Sequence, residues 1–337
     1  KLMHQLNEYE IKKLIVVTGY LTKQVEEVIS AYQINYDIIY NKKYKEDINI
    51  FSMKMAMDYL SNNDNTIVIE SDIIIDDLSF RDIYFESKKN KSIWFTRGKF
   101  HSKQYGGILK STKNNEVEDI KIVKKYNNTL ENYYKLLGIM TIGKNEFDYY
   151  KKLVKEYSKN NIKQYYLVPW INNLDSLPTF NYDLKPNKVF SINTEKEYNK
   201  LLSNKSAKKR KEIILINIDK IKPIENIICK RVRLLKQKIS NDKKWIKPII
   251  IDNKNHLLMD GHHRLEAAKL LGLKKIPAIK ENYKNVEIWS LKESEKVTKT
   301  LVEKRALSGN IYPNKTVKHY FNFNISRCNY PLTQLTN

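Results

Sequence analysis

HLLMDGHHRLEAAKLLG, residues 256–272, runs from an apolar stretch through an Asp-Gly-His-His-Arg corner straight into a helical pattern. Strands that stop at a polar corner and restart as a helix often hold a phosphate, because helix-start amides point outward without intrahelical partners. Gly261 permits close backbone approach, His262 and His263 offer donors, and Arg264 adds a forked cation in the opening turn of RLEAAKLLG, which closes on Gly272. Two other readings stay open here. His262 and His263 could ligate a metal, although adjacent histidines point apart and no third ligand is spaced to join them. Asp260 could be only an N-cap for the helix that follows.

Working outward, KPIIIDNKNHLLMD (247–260) has the pattern of a hairpin, two apolar runs joined by an Asp252-Asn253-Lys254-Asn255 turn. Upstream, EIILINIDKIKP (212–223) begins as a strand, and IENIICKRVRLLKQKISN (224–241) spaces Ile227, Ile228, Val232, Leu235 and Ile239 for a helix with one apolar face. Glu225 falls in the first turn of that expected helix. An acid there is also what the helix macrodipole favours.

Ahead of this region, NKSAKKRKE (204–212) has no apolar residue beyond Ala207 and reads as a basic linker. It separates an expected domain at 1–203 from another at 213–337. In the first, LIVVTGY (14–20), TKQVEEVISAY (22–32), YDIIYN (36–41), FSMKMAMDYL (51–60) and NTIVIESDIII (65–75) alternate β-rich with helical patterns, which argues for parallel strands with crossover helices. After residue 93 the pattern becomes mixed: SIWFTRG, YGGILKST and EVEDIKIVKKY look like antiparallel or edge strands, followed by a long helix over NEFDYYKKLVKEYSK. The fold class is therefore α/β with a mixed sheet, followed by a smaller α+β domain. Glu70, Ser71 and Asp72 fall where a buried parallel strand should emerge, and open α/β sheets bind ligands at such ends. Asp72 there either holds a metal ion or caps a turn.

The formal net charge of +23 invites a nucleic-acid reading. The lysines are scattered along the chain and not gathered into a stripe, so a solvated basic surface is expected and nucleic acid is not. No apolar run reaches the ~20 residues needed to cross a bilayer, and the opening KLMHQLNEYEIKK lacks a signal-peptide core, which predicts a cytoplasmic protein with no membrane partner. Cys229 and Cys328 sit in no metal-ligand spacing and are expected as reduced thiols.

In their order, IVVTGY, YNKKYKEDINIFSMKMAM, IVIESDIIID and KVFSINTEKEYNKLL, within residues 10–203, resemble the sugar-phosphate and choline-phosphate nucleotidyltransferases. The resemblance implies a Rossmann-like domain, related to the GT-A type, that transfers a nucleoside monophosphate, here from CTP, to a phosphorylated small molecule. It places the Mg²⁺-binding aspartate at Asp72, and Asn41, Asn49 and Ser52 in the nucleotide-side loop and helix start. The family's second metal-binding aspartate corresponds to Asn193, and an uncharged amide binds a hard cation less strongly. The family's first strand and glycine-rich phosphate loop, expected before Lys1, are not in the chain, which together with the missing initiator Met points to a fragment.

PIIIDNKNHLLMDGHHRLEAAKLLGLKKIPA resembles the ParB/sulfiredoxin fold, specifically its free L-serine kinase branch, and SGNIYPNKTVKHYFNF (308–323) is similar to that branch's late substrate segment. What this implies is transfer of phosphate from ATP or ADP to the serine hydroxyl. Glu225 would be the general base and Asp260 would bind Mg²⁺ or orient the hydroxyl. Gly261, His262, His263 and Arg264 would hold the donor phosphates, and Lys315, Thr316 and His319 the serine carboxylate or the product phosphate. Val317 stands where a basic residue is expected. Small molecules, serine and nucleotides, are the expected partners. The two resemblances together imply a kinase whose O-phospho-L-serine is then cytidylylated in the intact protein, if its N-terminus is complete. A ParB-like clamp that binds CTP and DNA is the alternative, but it would need a helix-turn-helix module that the turn-rich segment beyond residue 300 is too short to supply. An inactive sensor of serine or nucleotide is a third reading.

Overall fold

The computed structural model describes residues 1–32, 34–184, 189–192, 194–204 and 211–336. Contacts divide the chain into two units, Lys1–Asn7 with Ile11–Tyr198, and Glu8–Glu10 with Asn199–Asn337. Most of the expected linker, residues 205–210, and Asn193 lie outside the described residues.

In the first unit, α1 (Leu2–Leu6) precedes β1 (Leu14–Thr18), α2 (Thr22–Ser30) and β2 (Tyr36–Tyr40). As the alternating pattern predicts, β1 and β2 pair in parallel, Leu14 opposite Tyr36 and Thr18 opposite Tyr40. Then come α3 (Ile50–Met57), β3 (Thr66–Ile69), β4 (Ile73–Ile75) and α4 (Asp77–Ser87). Helix α4 starts where Asp76 accepts a hydrogen bond from the Ser79 amide at 2.6 Å. The mixed half follows with β5 (Ile93–Lys99), β6 (Gly106–Ser111), β7 (Val117–Val123), β8 (Tyr134–Ile142), α5 (Lys144–Asn160), α6 (Val168–Ile171), β9 (Phe180–Asp183), β10 (Val189–Ser191) and α7 (Glu195–Asn204).

These strands build a sheet in the order β7-β6-β8-β5-β9, with β3 also on β8. The stretch NTIVIESDIII does not continue as one strand, nor is β3's pairing on β8 the parallel one expected. It breaks into β3 and β4, and β3 runs antiparallel to β8, Thr66 opposite Ile142 and Ile69 opposite Ile139. The reason is the length of β8, whose far end pairs with β3 while its start pairs with β6. The Glu70 amide still donates to Gly138 O at 2.8 Å, residues 71 and 72 leave the ladder, and β4 turns away to pair with β10. Beneath the sheet, Trp94, Met140, Phe147, Tyr150 and Trp170 form a buried core. The Trp94 and Trp170 rings meet edge to face at 5.9 Å, an arrangement that adds about 0.5–1.5 kcal/mol to their burial.

The second unit contains β11 (Ile214–Asn217), α8 (Cys229–Asp242), β12 (Lys244–Trp245), β13 (Ile249–Asp252), β14 (Leu258–Asp260), α9 (His262–Leu270), β15 (Lys275–Glu281), β16 (Glu287–Ser290), α10 (Lys299–Ser308), β17 (Val317–Tyr320) and β18 (Tyr330–Pro331). Its main sheet has the order β11-β15-β13-β14, with β13 and β15 parallel and the other pairs antiparallel, an α+β arrangement. Period-two alternation along β13 feeds two cores. Ile249 and Ile251 pack with Leu265, Ala267 and Ala268 of α9, whereas Ile250 packs with Met259, Ile279 and Tyr312. The predicted hairpin is present, its turn fixed by Asp252 Oδ2 accepting from the amides of Lys254 and Asn255 at 3.1 and 2.7 Å.

Two local expectations are corrected. Helix α8 begins at Cys229 with Ile228 as its N-cap, so Glu225 lies before the helix and not in its first turn. Extended pairing holds that segment: Lys222 bridges Leu257, and Glu225 bridges Tyr312. Helix α9 ends at a Leu271 cap, with Gly272 one residue further on in the left-handed region at φ 68. Among the described residues no helix is long and apolar enough to cross a membrane.

Candidate active sites

In the second unit the corner is built as its sequence suggests. Gly261 caps α9 at φ 113, and a Cβ there would stand 2.7 Å from Ile249 Cγ2, so only glycine fits both conformation and space. No side chain caps α9, which leaves its first amides directed outward. Asp260 is not an N-cap. Its Oδ2 pairs with Arg264 at 3.0 Å and Lys247 at 3.5 Å. Burial pushes this carboxyl upward, but the two cations outweigh it and hold Asp260 well below the usual carboxylate range.

The side chains of the motif are largely occupied in holding the corner together. Arg264 Nη1 donates to the carbonyls of Lys247 and Pro248 at 3.1 and 2.7 Å. His262 Nε2 accepts from the Ile224 amide at 3.2 Å, and His263 Nε2 from the Ile228 amide at 3.1 Å. Both rings are therefore neutral, with the proton on Nδ1, as burial also dictates; it lowers His262 to about 4 and lowers His263 as well. The two histidines tether the 224–228 segment, and with it Glu225, to the helix start.

Glu225 is half-buried, and its Oε1 accepts from the amides of Thr316, at 3.0 Å, and Val317. Burial raises its carboxyl to about 7, against those amide bonds and the attraction of Lys292. The late segment is thus in direct contact with Glu225. Lys315 adopts φ 53, and the buried Thr316 hydroxyl donates to Pro313 O at 2.8 Å. His319 is buried, kept neutral by burial at about 3, and 3.1 Å from the Tyr283 hydroxyl through Nε2. Its Nδ1 is buried without a hydrogen-bond partner among the described residues. Three stretches far apart in sequence, 224–228, 260–264 and 315–319, therefore converge.

In the first unit, buried Asn41 donates to Asp47 Oδ2 at 2.9 Å and Ser52 Oγ at 3.0 Å, and Asp47 accepts from the amides of Phe51 and Ser52 at 3.0 and 2.8 Å. Asp47, not singled out from sequence, ties loop to helix start. Asn49 donates to Glu70 Oε1 at 3.3 Å and accepts from the Tyr166 amide at 2.8 Å. Glu70 occupies the gap on β8 between β3 and β6. Its amide donates to Gly138 O at 2.8 Å, and a Cβ on Gly138 would collide with its carboxylate. Burial raises Glu70, with Asp72 adding to the shift, and burial raises half-buried Asp72 too. The amide of Ile192 donates to Asp72 O at 2.8 Å, which brings the end of β10 beside Asp72.

Among the described residues no group of three His, Cys, Asp or Glu side chains could hold a metal ion. Mg²⁺ commonly needs only one or two carboxylates, completing its shell with water and phosphate oxygens, and Asp72, which makes no ion pair among the described residues, fits that use. Asp260 fits it less well, since the cations of Arg264 and Lys247 already neutralise it. Sequence reading passed over Lys292, Tyr283, Arg97, Lys135 and Gly138. Each acts on a residue far along the chain or across the sheet, so no local signal marks it.

The geometry defines an α/β domain with acidic residues in a gap of its sheet, and an α+β domain with a glycine corner at a helix start. The N-terminal region is similar to a choline-phosphate cytidylyltransferase, and the C-terminal region is similar to ParB-type domains. The ParB N-terminal domain family matches residues 202–295. An ATP-dependent L-serine kinase of Staphylothermus marinus is 40% identical over 79 residues, 22% of this chain and 31% of that protein. The choline-phosphate cytidylyltransferase of Haemophilus influenzae is 27% identical over 212 residues, 61% of this chain and 83% of that protein. The solved CTP:phosphocholine cytidylyltransferase of Streptococcus pneumoniae, 19% identical, has a TM-score of 0.50 over 60% of this chain and 82% of its own, a likeness of fold. The match thus spans about a third of the length of the serine kinase relative.

Proposed function

We propose that the second unit phosphorylates the hydroxyl of free L-serine, using ATP or ADP, and that the first unit transfers a cytidylyl group from CTP to the phosphorylated product. The observation that carries the kinase reading is that the segment holding Glu225 is tethered to the helix-start corner while the Glu225 carboxylate bonds to the late segment. In this reading the free amides at the start of α9 receive the donor's terminal phosphate. Glu225, ionised, takes the proton from serine Oγ as that oxygen attacks phosphorus and the nucleotide leaves with one phosphate fewer. His319 Nδ1, buried and unpartnered, offers a donor to a substrate oxygen. Lys315 supplies a cation at the edge of the same segment.

In the first unit Asp72 would hold Mg²⁺, which supplies charge neutralisation at the CTP phosphates when bound. Asn49 fixes Glu70, and Asp47 fixes Asn41 and Ser52 at the start of α3. A phosphate oxygen of the acceptor attacks the α-phosphorus of CTP, pyrophosphate leaves, and a CDP-linked product forms. The similarity to serine kinases in one half and to a choline-phosphate cytidylyltransferase in the other supports reading the two steps as consecutive.

The test is direct. The chain is incubated with L-serine, Mg²⁺ and either ATP or ADP, then with CTP. Phosphoserine, followed by pyrophosphate, is the expected sequence. Phosphoserine without pyrophosphate would remove the coupled reaction and leave the kinase standing.

A further inference from the structure

On β8, Lys135 lies opposite an irregularity in β5. Thr96 pairs with Leu136 and Lys99 with Tyr134, so Arg97 and Gly98 share the place facing Lys135. Gly98, at φ 77, allows this bulge, and Asp183 Oδ1 fixes it by accepting from the Gly98 amide at 2.6 Å. Bulges of this kind re-aim a side chain, and here they set a guanidinium beside an ammonium.

Both cations are poorly neutralised. Arg97 Nε is buried with no hydrogen-bond partner among the described residues. Lys135 Nζ donates to the carbonyls of Gly107 and Leu136 at 3.0 and 2.9 Å, and neither acceptor carries a charge. Burial, together with repulsion from Arg97, lowers Lys135 to about 8. The carboxylates that face the pair are Glu70, acting on Lys135, and Glu197, acting on Arg97. Two half-buried cations, one with an orphan donor and the other bonded only to carbonyls, thus stand beside the acidic gap of the sheet.

We propose that Arg97 and Lys135 form the acceptor subsite of the first unit and bind the carboxylate of a phosphorylated amino acid, selecting it over the quaternary ammonium of choline phosphate. The proposal rests on the cytidylyl-transfer reading and names its acceptor class. No bond forms or breaks at either residue; a guanidinium fork matches a carboxylate and repels a trimethylammonium group.

Binding of phosphoserine, phosphoethanolamine and phosphocholine to the full chain is measured by calorimetry, without CTP, so that turnover is not needed. Phosphoserine is expected to bind at least tenfold more tightly than phosphocholine. Arg97→Gln and, separately, Lys135→Gln are expected to weaken phosphoserine at least tenfold and phosphoethanolamine less than threefold, with Arg97→Lys recovering part of the loss. Equal wild-type affinity for phosphocholine would overturn the proposal. So would an equal loss of phosphoserine and phosphoethanolamine in the variants, which would place the phosphate at the pair. Pyrophosphate release from CTP is scored in parallel. Selective binding without release would remove the transfer reading and leave the subsite.

Discussion

At the residue scale, Glu225 is the base of the proposed kinase reaction. A base must be ionised, and burial holds this carboxyl at about 7. Kinase kcat/KM is therefore expected to rise tenfold per pH unit below about 7 and to level off above it. Glu225→Gln should remove this limb and lower kcat by about 100-fold or more, the usual contribution of a general base. A glutamine can still accept from Thr316 and Val317, so the fold is retained. An undiminished rate in the glutamine variant, or a pH profile flat through 7, would show that another group takes the proton. The same shift bears on stability with the opposite sign. The folded value exceeds the ordinary 4.5, so the folded state keeps a proton that the unfolded chain has lost. Stability from Glu225 is full below about 4.5 and declines as pH rises through about 7.

Gly138 offers a second residue-level test, in the other unit. Its missing Cβ makes room for the Glu70 carboxylate. Gly138→Ala is expected to displace Glu70 and break its contact with Asn49, lowering cytidylyl transfer while kinase activity stays unchanged. Assaying both reactions on one preparation separates this from general unfolding.

At the scale of elements, the start of α9 does two things at once. Its histidine side chains anchor the segment carrying Glu225, while its amides face outward. Removing one ring leaves an amide donor without its acceptor, a loss of about 1–3 kcal/mol. His262→Ala should speed hydrogen exchange at the Ile224 amide, and His263→Ala at the Ile228 amide. Each should also raise the serine KM more than it lowers kcat. Unchanged exchange at both amides would remove the tether. At Gly261, φ 113 and the nearness of Ile249 both oppose a side chain. Gly261→Ala is expected to cost about 1–3 kcal/mol, read as a lower midpoint of thermal unfolding.

The corner is legible in the sequence because its signals are local: periodicity changes from two to helical at Gly261, and the glycine sits where a positive φ is required. The hairpin turn at Asp252 is legible for the same reason. Glu225 is harder. Its spacing suits a helical first turn, and only the bridge to Tyr312, far along the chain, draws it into an extended segment. Strand β3 shows the same limit, because its apolar run does not disclose that β8 will pair with it antiparallel. The resemblance implies phosphate contacts for His262, His263 and Arg264, whereas in the structure their side chains bond to backbone atoms and, for Arg264, also to the Asp260 carboxylate. Residue type marks the site, whereas the role of each side chain depends on partners brought in by the fold.

For the whole molecule, the proposed function gives one reaction to each unit, with the product of the second serving as the acceptor of the first. Substitutions at Glu225 should abolish phosphoserine formation while pyrophosphate release from added phosphoserine persists. Asp72→Asn should do the reverse. The most direct measurement of the central claim is phosphorus NMR of the chain with L-serine, Mg²⁺ and ATP or ADP, run beside Glu225→Gln. A phosphoserine resonance that grows with the unaltered chain and is absent or at least 100-fold slower in the variant is the predicted result, on the scale expected for a lost general base. No phosphoserine from either nucleotide, or equal rates in the two proteins, would contradict the account.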